Sequence, residues 1–225
     1  MLENRVVQFA CGILYSHSFK LLDNWGAIAD SILYNNKFFS AKYFPKISTQ
    51  YTTSRSLSND ACGHSLQLTS NNLIYTHVVQ DDFTSEFSEF VRRISEFLIP
   101  KIIEENSLIV RRIGIVFTCE ISDQGIQSFA EKYFKPEFKE VTDFRFSKKE
   151  PTVSGTIWSD KSDFINKIYT VGAIGENLTG ISFDYQAHYV PPRTYVSDVI
   201  KPVLERGKQL LSEEVLTAGE KNGKK

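Results

Sequence analysis

Cysteine is scarce in this chain and odd in number. Cys11, Cys62 and Cys119 are the three. They fall in strand-like, loop-like and strand-like contexts, which excludes a disulfide framework and reads as reduced thiols of a cytoplasmic protein. No run approaches the ~18 apolar residues of a membrane span. Met1 to Val7 is acidic and polar, unlike a basic leader followed by an apolar core, so neither export nor membrane insertion is expected. An excess of one charge is missing too: 26 Lys and Arg meet 27 Asp and Glu, for a net charge of -1. Without a global basic field, nucleic acid is not an expected partner. Glycine-rich phosphate loops are absent, because Val171-Gly172-Ala173-Ile174-Gly175 has too few glycines and no following Lys-Ser or Lys-Thr. No serine sits in a strained elbow. Asp60, Cys62 and His64 offer zinc-binding or thiol-arming residue types, but no second cluster accompanies them. No catalytic residue, metal or cofactor is assigned.

What is there is ordinary globular composition: 225 residues, 41% hydrophobic and 24% charged. The chain is organised around Asp81 to Ile121. Phe83, Phe87, Phe90, Val91, Ile94 and Leu98 recur at helical spacing, with Glu86, Glu89, Arg92, Arg93 and Glu96 elsewhere, and Asp82 or Thr84 is placed to cap the helix. After a polar connection, Ile113, Ile115, Phe117, Cys119 and Ile121 alternate with polar or small residues, as on a half-buried strand. Upstream, the pattern predicts a strand over Val6 to Tyr15, a helix over Phe19 to Tyr34, and a strand over Lys46 to Arg55. A turn follows over Ser56 to Gly63, then strands over Ser65 to Thr69 and Leu73 to Val79 about a Ser70-Asn71-Asn72 turn.

Downstream the order begins again. Ser122 or Asp123 can cap a helix ending near Pro136, followed by strands over Phe138 to Ser147, Val153 to Ser159 and Gly180 to Val190, with Lys148 to Pro151 as a turn. A last helix starts near Asp198, with Val199, Ile200, Val203, Leu204, Leu210, Leu211 and Val215 on its apolar side and Gly207 suited to close approach. The expected class is α+β, with antiparallel sheets bearing helices on one face. Residues 1–106 and 107–218 form two strand-helix-three-strand-helix halves before a disordered tail, 219–225. Gly12 to Ser16 can be laid beside Gly114 to Thr118, which suggests internal duplication. Halves so related would pair in one sheet or enclose a groove.

Three features together resemble a sporadically distributed family of uncharacterised bacterial proteins known by a serial number: the strand Val6 to Tyr15, the run from Leu66 through Arg112-Ile113-Gly114-Ile115-Val116-Phe117, and the closing Ile181-Ser182-Phe183-Asp184 with its terminal helix. The resemblance covers most of the chain. The family pattern has an asparagine after the central strand, where this chain has Cys119-Glu120. It implies an α+β fold and a bacterial, mobile-element-like origin, and it brings no activity or site residue.

Asp184 and His188 share a strand face, and His77 is positioned to meet them across a sheet in an acid-base constellation; the plainer reading makes all three solvent-facing polar positions. Arg112, with Arg92 and Arg93, is a local basic feature, but glutamates interleave with these arginines as on a wet helix face. Phenylalanine and tyrosine are plentiful, 17 and 10, and such amphipathic rings favour interfaces. The candidate binding residues are therefore Tyr51, Tyr75, His77, Arg112, Tyr185 and His188. The leading expectation is a non-catalytic bacterial or phage protein that binds a protein partner, in an antitoxin-like or defence-accessory role, with a homo-oligomer as a second form of such binding. The alternatives are a small-molecule module with an apolar pocket between the halves, then an enzyme or nucleic-acid binder.

Overall fold

The computed structural model describes residues 5–34, 36–51, 53–121, 126, 131, 144–151, 162–173 and 179–213. Its strands are β1 (Val6–Tyr15), β2 (Lys46–Tyr51), β3 (Ser54–Asn59), β4 (His64–Thr69), β5 (Asn72–Val78), β6 (Val110–Glu120), β7 (Phe144–Pro151), β8 (Phe164–Ala173) and β9 (Thr179–Arg193). They make one nine-stranded sheet in the order β2-β3-β4-β5-β1-β6-β9-β8-β7, antiparallel at every pairing. The helices are α1 (Lys20–Asp23), α2 (Trp25–Leu33), α3 (Phe83–Arg93), a π-helical segment Ile94–Glu104 that continues α3, and α4 (Ser197–Glu213). No helix among the described residues is long and apolar enough to cross a membrane.

Strand alternation builds the packed face. Leu57, Leu66, Tyr75, Cys11, Ile115 and Tyr185 pair one with the next across six strands, and all are buried. Phe9 pairs with Phe117, and Phe117 with Phe183. Above them the α3 stripe lowers Phe83, Phe87 and Phe90 onto Phe9, with ring centroids 4.7–5.8 Å apart. Each buried phenylalanine contributes about 1.5–3 kcal/mol by transfer from water. Asp82 caps α3, accepting from the Ser85 N–H at 2.8 Å. On α4, Gly207 lets the helix descend onto the sheet: a Cβ there would lie 2.3 Å from Ile115 Cγ2.

Several expectations are corrected. Ser54–Asn59 is strand β3, not mainly turn, because Leu57 reaches the core while its serines face outward. Lys148 to Pro151 completes β7 rather than turning. Phe164–Ala173 is an unanticipated strand that contains most of the glycine segment weighed as a phosphate loop. The helix expected over Phe19 to Tyr34 is two pieces meeting at Asn24. The α3 helix runs on to Glu104 as π-helix where a polar connection was expected. Of the helix after Ser122 only Ile126 and Glu131 are described, both helical. The strand over Val153 to Ser159, residues 138–143 of the strand expected over Phe138 to Ser147, and the tail lie outside the described residues.

Candidate functional site

Two polar networks occupy the sheet, one on each face. The first is walled in by α3. His77, on β5, pairs with Phe9 and stacks on it at 4.9 Å. Its Nε2 lies 2.6 Å from Glu86 Oε2. Glu86 Oε1 also accepts from the Gln80 and Asp81 N–H groups, at 3.0 and 2.6 Å. Burial holds the His77 ring below its ordinary pKa even though Glu86 pulls it upward. Burial alone would raise the Glu86 carboxyl, but the Asp81 N–H, the His77 ring and the Gln80 N–H together bring it lower. His77 is therefore neutral and donates from Nε2–H to a carboxylate, rather than forming an ion pair.

The remaining donors then have one consistent order. Arg93 can only donate, so it gives a proton to the Tyr75 oxygen at 3.2 Å. Tyr75 O–H then points at the Tyr43 oxygen, 2.8 Å away. Tyr43 O–H donates to His77 Nδ1 at 3.3 Å. The chain Arg93, Tyr75, Tyr43, His77, Glu86 is closed at both ends, with a cation at one and a carboxylate at the other. Burial raises both tyrosine hydroxyls. His64 stacks between Tyr43 and His77, at 5.1 and 4.1 Å, and its Nδ1 accepts the Val78 N–H. Burial, then repulsion from His77 and Arg93, pushes it down to about 4. Such a chain, with every donor satisfied, fixes the positions of its side chains.

Asp60 and Cys62 belong to the β3–β4 turn beneath this network. Asp60 pairs with Lys46, and the Cys62 and Gly63 N–H groups donate to Asn59 O. Gly63 has φ +72°, and a Cβ there would come within 2.6 Å of Val78 Cγ2. The Asp60-Cys62-His64 cluster is thus a hairpin turn.

The second network lies on the opposite face. One row crosses all nine strands: Ser48, Ser56, Gln67, Ile74, Gly12, Gly114, Gln186, Asn166 and Lys149, each paired with the next. Gly12 leaves its centre without a side chain, whereas a Cβ on the buried Gly114 would meet Gln186 Cγ at 3.5 Å and Asp184 Oδ1 at 3.6 Å. Beside them Gln186 donates to Asp184 Oδ2 at 2.5 Å and accepts from His188 Nε2 at 3.1 Å, with Arg112 at 3.5 Å. His188 stacks on Phe164 at 4.3 Å, and Lys149 Nζ sits 3.8 Å from the same ring. Burial, then the charges of Arg112 and Lys149, push His188 down to about 4. Burial raises the Asp184 carboxyl against Gln186 and two arginines.

The sequence candidates are therefore divided. Arg112 and His188 are cross-strand neighbours on the open face. Tyr75, His77 and Tyr185 are on the packed face, with Tyr75 and Tyr185 at 0% and 1% exposure, so these two rings fill the core instead of a contact surface. His77 cannot join Asp184 and His188, because the sheet separates them. The Tyr51 side chain lies outside the described residues. Glu86, and Gln186 opposite, were not anticipated as site residues at all, while His64, Arg93 and Tyr43 were weighed only as a zinc-ligand type, part of a basic feature and one of the plentiful aromatics. The capping geometry at Asp82 is the single local signal near Glu86. No family model matches the chain, and no curated protein matches it.

Proposed function

We propose that this chain is a non-catalytic binding protein that holds a protein partner against the open face of its sheet. The carrying observation is the centre of that face. A Cβ built on Gly12 meets nothing within 4 Å among the described residues, so its own packing does not require a glycine there. A bare strand centre suits close approach by another backbone. Around it lie small hydroxyl side chains toward β2, and Arg112, Arg145 and Lys149 toward β7, against the carboxyls of Asp184 and, at the far end of β6, Glu120. That distribution favours a partner segment with acidic character.

We also read the two halves as copies of one unit. Outward from the β1–β6 seam, the first half runs β5, β4, β3, β2 and the second β9, β8, β7, each seam strand followed by the last strand of its own half. Among the described residues the first copy has one strand more. With the resemblance noted above, the partner would be that of an antitoxin-like or defence-accessory protein in the bacterial cytoplasm.

The test is isolation from the native host of the wild type, Gly12→Arg and Phe19→Ser, all verified as folded by circular dichroism. A stoichiometric protein that accompanies the wild type and Phe19→Ser but not Gly12→Arg supports the proposal. Absence of such a protein, or its retention by Gly12→Arg, refutes it.

A further inference from the structure

Away from both networks, α2 and the π-helical segment enclose a cleft of about 260 Å³. Its floor is Ile28, Ile32, Phe97 and Ile102, all buried residues. Phe97 is held from behind by Phe38 and Phe39, at centroid distances of 5.8 Å each. The π winding makes this wall. Phe97 and Ile102, five residues apart, would sit about 140° apart on an α-helix at 100° per residue. Closure at i+5, seen where the Glu105 N–H donates to Pro100 O at 3.0 Å, returns them to one side. Pro100 has no N–H to give and its ring crowds the preceding turn, which disfavours α-helical winding through it. π-helical turns recur at functional sites.

The rim carries opposite charges and free polar groups. Lys101 Nζ and Glu105 Oε1 pair at 2.6 Å, both about half exposed. A pair so exposed is weakly held and opens readily. Across from it the Asn24 amide and Ser31 hydroxyl line the cleft, and neither makes a side-chain hydrogen bond among the described residues. We infer that this cleft binds a free α-amino acid with a large apolar side chain. The side chain lies on the isoleucine and phenylalanine floor. The carboxylate takes Lys101, the ammonium takes Glu105, and Asn24 and Ser31 supply the remaining hydrogen bonds. A zwitterion replaces the one rim ion pair with two, so neither charge of the protein is left alone.

The experiment is a titration of the full chain with L-leucine and L-phenylalanine, followed by amide NMR. Controls are glycine, 4-methylpentanoate and 3-methylbutylamine, which lack the side chain, the ammonium and the carboxylate respectively. Leucine or phenylalanine should give saturable shifts in Trp25–Leu33 and residues 97–106, with every control at least ~10-fold weaker. Ala27→Trp, at an exposed lining position, should abolish those shifts. Lys101→Met, an exposed change that leaves the core alone, should weaken binding at least ~10-fold and keeps the test valid if Ala27→Trp fails to fold. No saturable shift in the wild type, equal binding of a control, or undiminished binding by Lys101→Met overturns the inference.

Discussion

Glu86→Gln is the sharpest probe of the buried hydrogen-bond chain, because it changes charge and donor order while keeping shape. The glutamine oxygen can still accept from Gln80 and Asp81, whose N–H groups share Glu86 Oε1. Its NH₂ then faces His77 Nε2, which must become an acceptor. His77 moves its proton to Nδ1 and donates to the Tyr43 oxygen, so Tyr43 O–H turns toward Tyr75. The Tyr75 O–H is left facing Arg93, which is also a donor. One stranded buried hydroxyl costs about 1–3 kcal/mol, so Glu86→Gln should lower unfolding free energy by about 2 kcal/mol. Urea denaturation at pH 7, followed by circular dichroism, measures this. Tyr75→Phe removes the stranded hydroxyl, so the double variant should lose about 1 kcal/mol less than the sum of the single losses. Additivity within ~0.4 kcal/mol would show that the five residues are not ordered as one chain.

Stability should fall as pH drops below the ordinary histidine value of 6.5 toward 4. His64 and His188, both pushed down to about 4, bind protons in that window only after unfolding; their contribution is complete above 6.5 and lost as pH falls through the folded values. Replacing either with glutamine should reduce the slope of urea-derived stability against pH between 6 and 4.5. Gly63→Ala should cost about 2 kcal/mol in the same assay, since alanine must adopt φ +72° and displace a Val78 methyl. Glu104 accepts from the Val196 and Ser197 N–H groups and the Ser197 hydroxyl, so Glu104→Ala should lower the thermal midpoint by loss of about 1–2 kcal/mol of capping.

The elements legible in the sequence were those whose side chains alternate between core and surface. β1, β6 and β9 carry rows of aromatic and aliphatic residues at every second position, and α3 and α4 carry clear stripes. β3 was hidden because Leu57 is its one large apolar side chain and its serines belong to an open face. The second half of β7 was hidden because lysines and a terminal proline, which imitate a turn, are also what an edge strand carries. The π winding depends on Pro100 being held inside a packed helix, which no local pattern announces. The site was less legible than the fold. Tyr43, His64, His77, Glu86 and Arg93 come from separate segments, and their meeting is set by strand register and by the docking of α3. Strand parity likewise put His77 and His188 on opposite sides, a distinction that a one-residue slip would reverse.

The seam has a consequence for how the molecule is made. β1 finishes between β5 and β6, yet of all these strands it is synthesised first, and neither neighbour exists until residues 72–78 and 110–120 have followed. An apolar ribbon with two bare edges must therefore wait through much of translation. That delay makes Val6–Tyr15 the segment most in need of a chaperone's shelter and the first place to look when the newborn chain goes astray.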